Sequence, residues 1–471
     1  MNRRTSLICH NLASRGLAFL GALACSCGAR TGLLAETTGS TPAPPGSLSS
    51  ACPPGFAECD GDHRTTCEIE IAADDSNCGS CGHACAGGLV CGAGRCVPPA
   101  TVVQIGLGAY FSCARAASGK VFCWGANERG QLGNGTLISS NNPAPVQSVD
   151  DAVELSVGAI AACARQRSGS VVCWGQKTLG QFAAGAHDST SPVQVTGLVV
   201  GSVARIVTNS DSACAIRRDG TVLCWGNNEC GELGDGTFLT RPDPQPVLDL
   251  ASARTISIFD LGCATESSGA VVCWGANGNG GLGDGSDPYP DRTFGCGRTP
   301  RPRPGPVLGI TDAIDVVAGG LGLVCATRAS GRVSCWGYGQ ERQLAGDGSG
   351  GSHSAPIEVA GISDAVQVGI GAYHVCARRR SGEIACWGND YRIDQTGWIG
   401  LFGTGEIDYR GSQPARTSGI ATATSLAVGA GHSCVLLDDG TVRCWGFNGF
   451  GELGDSTTIS RTAPVAVIGL P

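Results

Sequence analysis

Charge is scarce in this chain of 471 residues, with only 15% of positions Asp, Glu, Lys or Arg. That excludes long surface helices built on Glu and Lys. Lysine occurs only at Lys120 and Lys177 and methionine only at Met1, which reads as codon bias and not as chemistry. Positive charge is in deficit, with a formal net charge of -8. The chain therefore lacks the electrostatic footprint of a nucleic-acid binder, despite local groups such as Arg378, Arg379 and Arg380 or Arg298, Arg301 and Arg303. Long hydrophobic runs are missing too. The apolar run from Gly16 to Ala24 is too short to cross a bilayer as a helix, and no other stretch approaches the length needed.

What the chain has in abundance is glycine, 74 residues, together with 23 prolines and 27 cysteines. The glycines follow no Gly-X-Y period, and 42% hydrophobic residues suffice for a core, so collagen and wholesale disorder are both excluded. Cysteines spread over the whole length point to an oxidising compartment. The N-terminus agrees. Arg3, Arg4 and Arg15 precede the apolar run, and Ala22-Leu23-Ala24-Cys25 resembles a bacterial lipobox, so residues 1–25 are expected to be a signal peptide with Cys25 as the lipidation site. Cleavage with release is the alternative. Residues 26–51, rich in Ser, Thr, Pro and Gly, read as a flexible spacer.

Residues 52–98 hold eight cysteines, Cys52, Cys59, Cys67, Cys78, Cys81, Cys85, Cys91 and Cys96. So short a segment cannot bury a sufficient core, and disulfides substitute for one. Connectivity is not readable from spacing. Two other readings remain: a zinc site at Cys78, Cys81, His83 and Cys85, and calcium ligation by Asp60 and Asp62. An exported chain with an even cysteine count favours disulfides, and no metal or cofactor is assigned.

Residues 101–471 are repetitive. The pattern Cys, nine residues, Cys-Trp-Gly occurs seven times, beginning at Cys113, Cys163, Cys214, Cys263, Cys325, Cys376 and Cys434. Each unit reads as a β-hairpin whose Ser-Gly or Asp-Gly turn closes a three-residue loop with a bulge. Such a loop centred on Ser118 sets Cys113 opposite Cys123 at a non-hydrogen-bonded position, where a cross-strand disulfide is least strained. The same register predicts Cys163 with Cys173, Cys214 with Cys224, Cys263 with Cys273, Cys325 with Cys335, Cys376 with Cys386, and Cys434 with Cys444. Strand alternation then points Cys123 and Trp124 to opposite faces. If the sheets are radial blades, every gap receives a tryptophan from one blade and a disulfide from the next. Pro-Val pairs such as Pro145-Val146 read as the start of a further strand, giving about four strands per repeat.

The segment GAGHSCVLLDDGTVRCWGFNGFGELGD resembles the repeat of the regulator of chromosome condensation family, whose members are seven-bladed β-propellers. The resemblance implies an all-β propeller over 101–471, with paired cysteines as a departure suited to export. The unpartnered Pro-Val strand at the C-terminal end is expected to pair with the first segment and close the ring.

No catalytic constellation stands out, and no enzymatic activity is expected. His374 and His432 precede hairpin cysteines, but Phe111, Ala161, Ser212, Leu261 and Leu323 stand there in the other repeats, so both histidines read as structural. Function is sought in the irregular loops. One insertion, Asp287 to Gly305, supplies Tyr289, Arg292, Phe294 and Arg298; another, Tyr391 to Gly411, supplies Trp398, Phe402 and Tyr409. Aromatic and arginine residues on protruding loops have the composition of binding hot spots, though a loop collapsed on its own blade has the same composition. Cys230 and Cys296 are expected to pair and pin the first insertion. The expected protein is a monomeric, exported recognition module for a protein or glycan, touching membrane only through its lipid. An inhibitor of an extracellular enzyme, a carbohydrate-processing enzyme, and guanine-nucleotide exchange as implied by the resemblance are the alternatives.

Overall fold

The computed structural model describes residues 52–471 except 53, 60–68, 177–187, 210, 251, 287–295, 298, 340–350, 395–396 and 408–412, and only the backbone over 391–399. Seven four-stranded antiparallel sheets follow one another along the chain. The first contains Val102–Leu107, Phe111–Ala116, Val121–Gly125 and Ser140–Pro145, in that order from the axis outward. The others begin at Ala152, Val203, Ala253, Ala313, Ala365 and Ala423. First strands of successive blades touch, and Ala423–Val428 touches Val102–Leu107, so the ring is closed. Among the described residues no helix is long and apolar enough to cross a membrane.

Every hairpin has the expected register. Cys113 lies opposite Cys123, and Ala116 N–H bonds to Lys120 O across a turn whose Gly119 has φ +95°. All seven hairpin disulfides are formed, with Cα separations of 4.0–4.1 Å, as a non-hydrogen-bonded pair allows.

Two expectations are corrected. The last strand, Arg461–Ala466, pairs with Val442–Gly446 of its own blade and not with the first segment. Each blade is one contiguous stretch of chain, so closure rests on packing between blades 7 and 1 and not on a shared sheet. The Pro-Val pairs end a strand and do not begin one: the fourth strand stops at Pro145, and Val146 N–H adds a last bond to Val121 O.

The gaps between blades hold the core. In each, the disulfide of one blade packs with the tryptophan of the next, as Cys113 and Cys123 do with Trp174, and Cys434 and Cys444 do with Trp124 across the closure. The same pairing recurs in the other five gaps. The indoles reach further. Trp174 Nε1 donates to Gln131 O at 2.9 Å, Trp274 to Glu232 O at 2.8 Å, Trp336 to Gly281 O at 2.9 Å, Trp445 to Leu401 O at 2.9 Å and Trp124 to Glu452 O at 2.8 Å. Each accepting carbonyl lies on the preceding blade, directly before a Leu-Gly or Phe-Gly pair. The glycine lets the loop approach the ring. A Cβ on Gly234, at φ +70°, would lie 2.9 Å from Trp274 Nε1 and 2.8 Å from Val247 Cγ1.

Gly234→Ala is therefore expected to lose about 1–3 kcal/mol through overpacking and a left-handed backbone, read as a lower midpoint in denaturant unfolding of the oxidised protein. Removing one hairpin disulfide, as in Cys214→Ala with Cys224→Ala, should cost about 2.7 kcal/mol on the chain-entropy model.

Candidate functional site

The ring has two ends. At the end carrying the hairpin turns sits the small cysteine module, tied by Cys59–Cys81, Cys78–Cys91 and Cys85–Cys96. The zinc reading fails because Cys78, Cys81 and Cys85 are committed to these bonds, while His83 Nδ1 lies 2.6 Å from Cys78 O. Asp60 and Asp62 of the calcium reading, like Cys67, lie outside the described residues.

The module docks on blades 1 to 3. Glu70 accepts two bonds from the buried Arg165 guanidinium, at 2.6 and 2.8 Å, and Glu154 accepts a third at 3.1 Å. Burial alone would lower the Arg165 pKa, but the two carboxylates outweigh it and hold the group above its ordinary value. Phe56 lies under Arg165 and Arg218, with ring-centroid distances of 5.9 and 5.2 Å. Arg167 donates to Ala73 O at 2.6 Å and Arg205 to Pro54 O at 3.2 Å.

Over blades 6, 7 and 1 the module leaves a cleft of about 530 Å³. Its origin is visible in the inner strands. Gln104 of blade 1 donates to Leu155 O of blade 2 at 2.8 Å and accepts from Leu155 N at 3.0 Å, while Arg115 braces it at 2.9 Å. Gln367 of blade 6 makes the same two bonds to Leu426 of blade 7, with Arg378 beside it at 3.4 Å. In blade 7 the corresponding positions hold Ser425 and Leu436, and both line the cleft. Serine is too short to bridge, and its hydroxyl is buried without a hydrogen-bond partner. Arg115 and Arg378 line the cleft as well, as do Arg380 and Arg95, the last contributed by the module. Burial lowers the Arg115 pKa to about 10, with Glu70 and Glu154 opposing the shift, so it stays cationic at neutral pH.

At the other end the shaft is narrowed by Ala109, Ala159, Ala372 and Ala430, with Tyr110 and Tyr373 packed against them. His374 and His432 lie close by, fully buried. His374 Nε2 is 2.8 Å from Ser433 Oγ, and His432 Nε2 is 3.0 Å from Ser112 Oγ, so each histidine ties its blade to the next. Burial pushes the His374 pKa down to about 3, leaving the ring neutral. Glu232, raised to about 7 mainly by burial, accepts Cys230 N–H at 2.8 Å. Gln131 and Glu452 make the same bond in blades 1 and 7, which marks the position as architectural.

The insertions start from this second end. Cys230 and Cys296 are bonded across blades 3 and 4. Tyr289, Arg292, Phe294, Arg298 and Tyr409 lie outside the described residues. Trp398 stands on an extra hairpin, Tyr391–Asp394 paired with Gly397–Gly400, opposite Ile393. Phe402 is corrected: it is fully buried, packed with Cys376, Cys386 and Trp445. Asp390 explains why. Its Oδ1 accepts Leu401 and Phe402 N–H at 2.8 and 2.6 Å, the role Asn127 plays for Leu132 and Asn228 for Leu233. Phe402-Gly403 is thus the repeat's own Leu-Gly turn, and the sequence FGTG set beside LGDG and LGNG carries that signal.

Two outcomes follow from this geometry. His374 has a folded pKa below its unfolded value, so between about pH 6.5 and 3 the unfolded chain binds a proton the folded chain does not. Stability should fall on acidification by about 1.4 kcal/mol per pH unit from this group, and His374→Leu should remove that slope in pH-dependent unfolding. Glu70→Ala should weaken module docking by up to about 3 kcal/mol, detected as faster proteolysis in 98–101 with the propeller left intact.

Known proteins place the repeats. A family model described as the Regulator of chromosome condensation (RCC1) repeat matches residues 102–131, 203–232, 365–392 and 423–452, and a second of the same description matches 118–164. The chain is 29% identical to the E3 ubiquitin-protein ligase HERC2 of Homo sapiens over 76% of its own length but only 7% of that protein. It is 26% identical to the ultraviolet-B receptor UVR8 of Arabidopsis thaliana, over 79% of this chain and 70% of the receptor. Among solved structures, Prp20p of Saccharomyces cerevisiae superposes with a TM-score of 0.61 at 18% identity, covering 79% of this chain and 88% of Prp20p, a likeness of fold alone. The chain carries regulator of chromosome condensation repeats, and they build a seven-bladed β-propeller.

Proposed function

We propose that this protein is an exported, non-catalytic recognition module that binds a protein or glycan through loops displayed by the propeller. The observation that carries the reading is the disulfide in each of the seven blades, which suits an oxidising compartment. Cys230–Cys296 supports it further. That bond fixes the base of the insertion holding Tyr289, Arg292, Phe294 and Arg298, and pre-organising a loop lowers the cost of binding. Relatives of similar fold engage proteins: one solved structure is of Kap60 bound to yeast RCC1, and the work on Prp20p concerns its binding to Gsp1p and histones. Residues 1–25 serve as the signal peptide in this reading, with Cys25 lipidated and 26–51 as the spacer from the envelope.

The test is affinity capture with the oxidised protein from envelope and culture-medium fractions. The comparison variant lacks 287–300 and 391–399 and carries Cys230→Ser. The wild type is expected to retain a partner that the variant loses, and equal recovery by both would remove the insertions from the account. Labelling with a fatty-acid analogue should mark the wild type and not Cys25→Ala.

A further inference from the structure

We propose that the cleft where blade 7 meets blade 1 is a second binding site, shaped to take a short acidic peptide segment by its carboxylates. It lies at the opposite end of the shaft from the insertions and does not depend on them.

The cavity lies at an inner-strand pair that varies from blade to blade, being Glu154 with Arg165, Arg205 with Ile216, Thr255 with Thr265 and Asp315 with Thr327 in blades 2 to 5. Blades 1 and 6 fill the inner gap with a Gln and Arg pair, Gln104 with Arg115 and Gln367 with Arg378. Blade 7, which sits between those two, holds the shorter Ser425 and Leu436 there, and the Ser425 hydroxyl is buried without a partner. At about 530 Å³ the space falls in the ~300–1,000 Å³ range of ligand sites.

The lining sets the ligand class. Arg95, Arg115, Arg378 and Arg380 line the cleft with one carboxylate, Asp438, while Glu70 and Glu154 act on Arg115 from outside the lining. Such an excess of guanidinium groups in a chain of net charge -8 is a local reversal of sign, and guanidinium matches carboxylate geometry through paired N–H donors. Val102, Val103, Leu436 and Leu437 add an apolar floor, which suits the methylene stems of a peptide and would go unused by a bare phosphate. No aromatic side chain lines the cleft, so a sugar ring finds no stacking surface. The wall bearing Arg95 belongs to the disulfide module, which gives the docked module a part in binding.

The test is calorimetric titration of the full oxidised chain with acetyl-tetraglutamate amide, at low and high salt. One saturable site is expected, weakened at least tenfold by Arg95→Glu with Arg380→Glu. Both of these residues are exposed, and the unfolding midpoint of the double variant is measured beside its affinity to separate lost binding from lost stability. Ser425→Gln, which restores the side chain of blades 1 and 6, should abolish binding while leaving the protein folded. The variant lacking the insertions should bind the peptide as the wild type does, which separates this site from the capture experiment. No saturable binding at millimolar peptide, wild-type affinity in both site variants, or equal binding of acetyl-tetraglutamine amide would each overturn the proposal. Tighter binding of inorganic pyrophosphate or trigalacturonate would overturn the assignment to a peptide.

Discussion

The ring depends on one repeated contact, the tryptophan of each blade lying against the disulfide of the blade before it. A propeller blade alone exposes two apolar faces, and only a neighbour on each side buries them. Here the two faces are chemically distinct because Cys and Trp are adjacent on one strand and must point opposite ways. The contact is therefore directional. It sets every blade in the same sense relative to the next, and the indole N–H confirms the alignment by seeking a carbonyl that only the preceding blade's Leu-Gly loop supplies. Because the chain does not exchange a strand at closure, the last gap must hold by the same means. Trp124 against Cys434 and Cys444, with its bond to Glu452 O, does that work, joined by the His432 to Ser112 contact.

A scaffold so regular makes its departures informative. Where a position repeats, as Glu232 does with Gln131 and Glu452, architecture accounts for it despite a raised pKa. Where side chains or loops vary between blades, a surface changes. The pair Ser425 and Leu436 opens a cleft at one end, and the segments after Trp274 and Trp387 enlarge the loops at the other. The docked module joins these effects. Its Glu70 and Phe56 bury arginines of blades 2 and 3, while its Arg95 projects to the open side over blades 6, 7 and 1.

Much of this was legible in the sequence, because the information is local and repeated. Hairpin register follows from the Ser-Gly and Asp-Gly turns, and register alone pairs Cys113 with Cys123 and alternates Cys with Trp. What escaped depends on contacts between distant segments. Contiguous blades and a strand-swapped closure have almost the same sequence, since the difference lies only in which edge Arg461–Ala466 finds. The module's docking could not be read because Glu70 and Arg165 are 95 positions apart and carry no motif. Phe402 reads as a loop residue in the sequence for a different reason. An inserted hairpin separates Asp390 from its turn, hiding the alignment of FGTG with LGDG that makes it a core residue. The cleft was readable in principle, as Ser425 where Gln104 and Gln367 stand, but a short side chain in an inner strand gains meaning only once the neighbouring bridges are seen.

The claim most open to direct trial is that each blade closes its own disulfide and presents it to the next blade's tryptophan. Peptide mapping under non-reducing conditions, with free thiols blocked before digestion, reads this without further assumption. Seven intra-blade links of the Cys113–Cys123 kind are expected, together with Cys230–Cys296. Blocked free thiols at Cys113 and Cys123, or links joining hairpin cysteines of different blades, would contradict it.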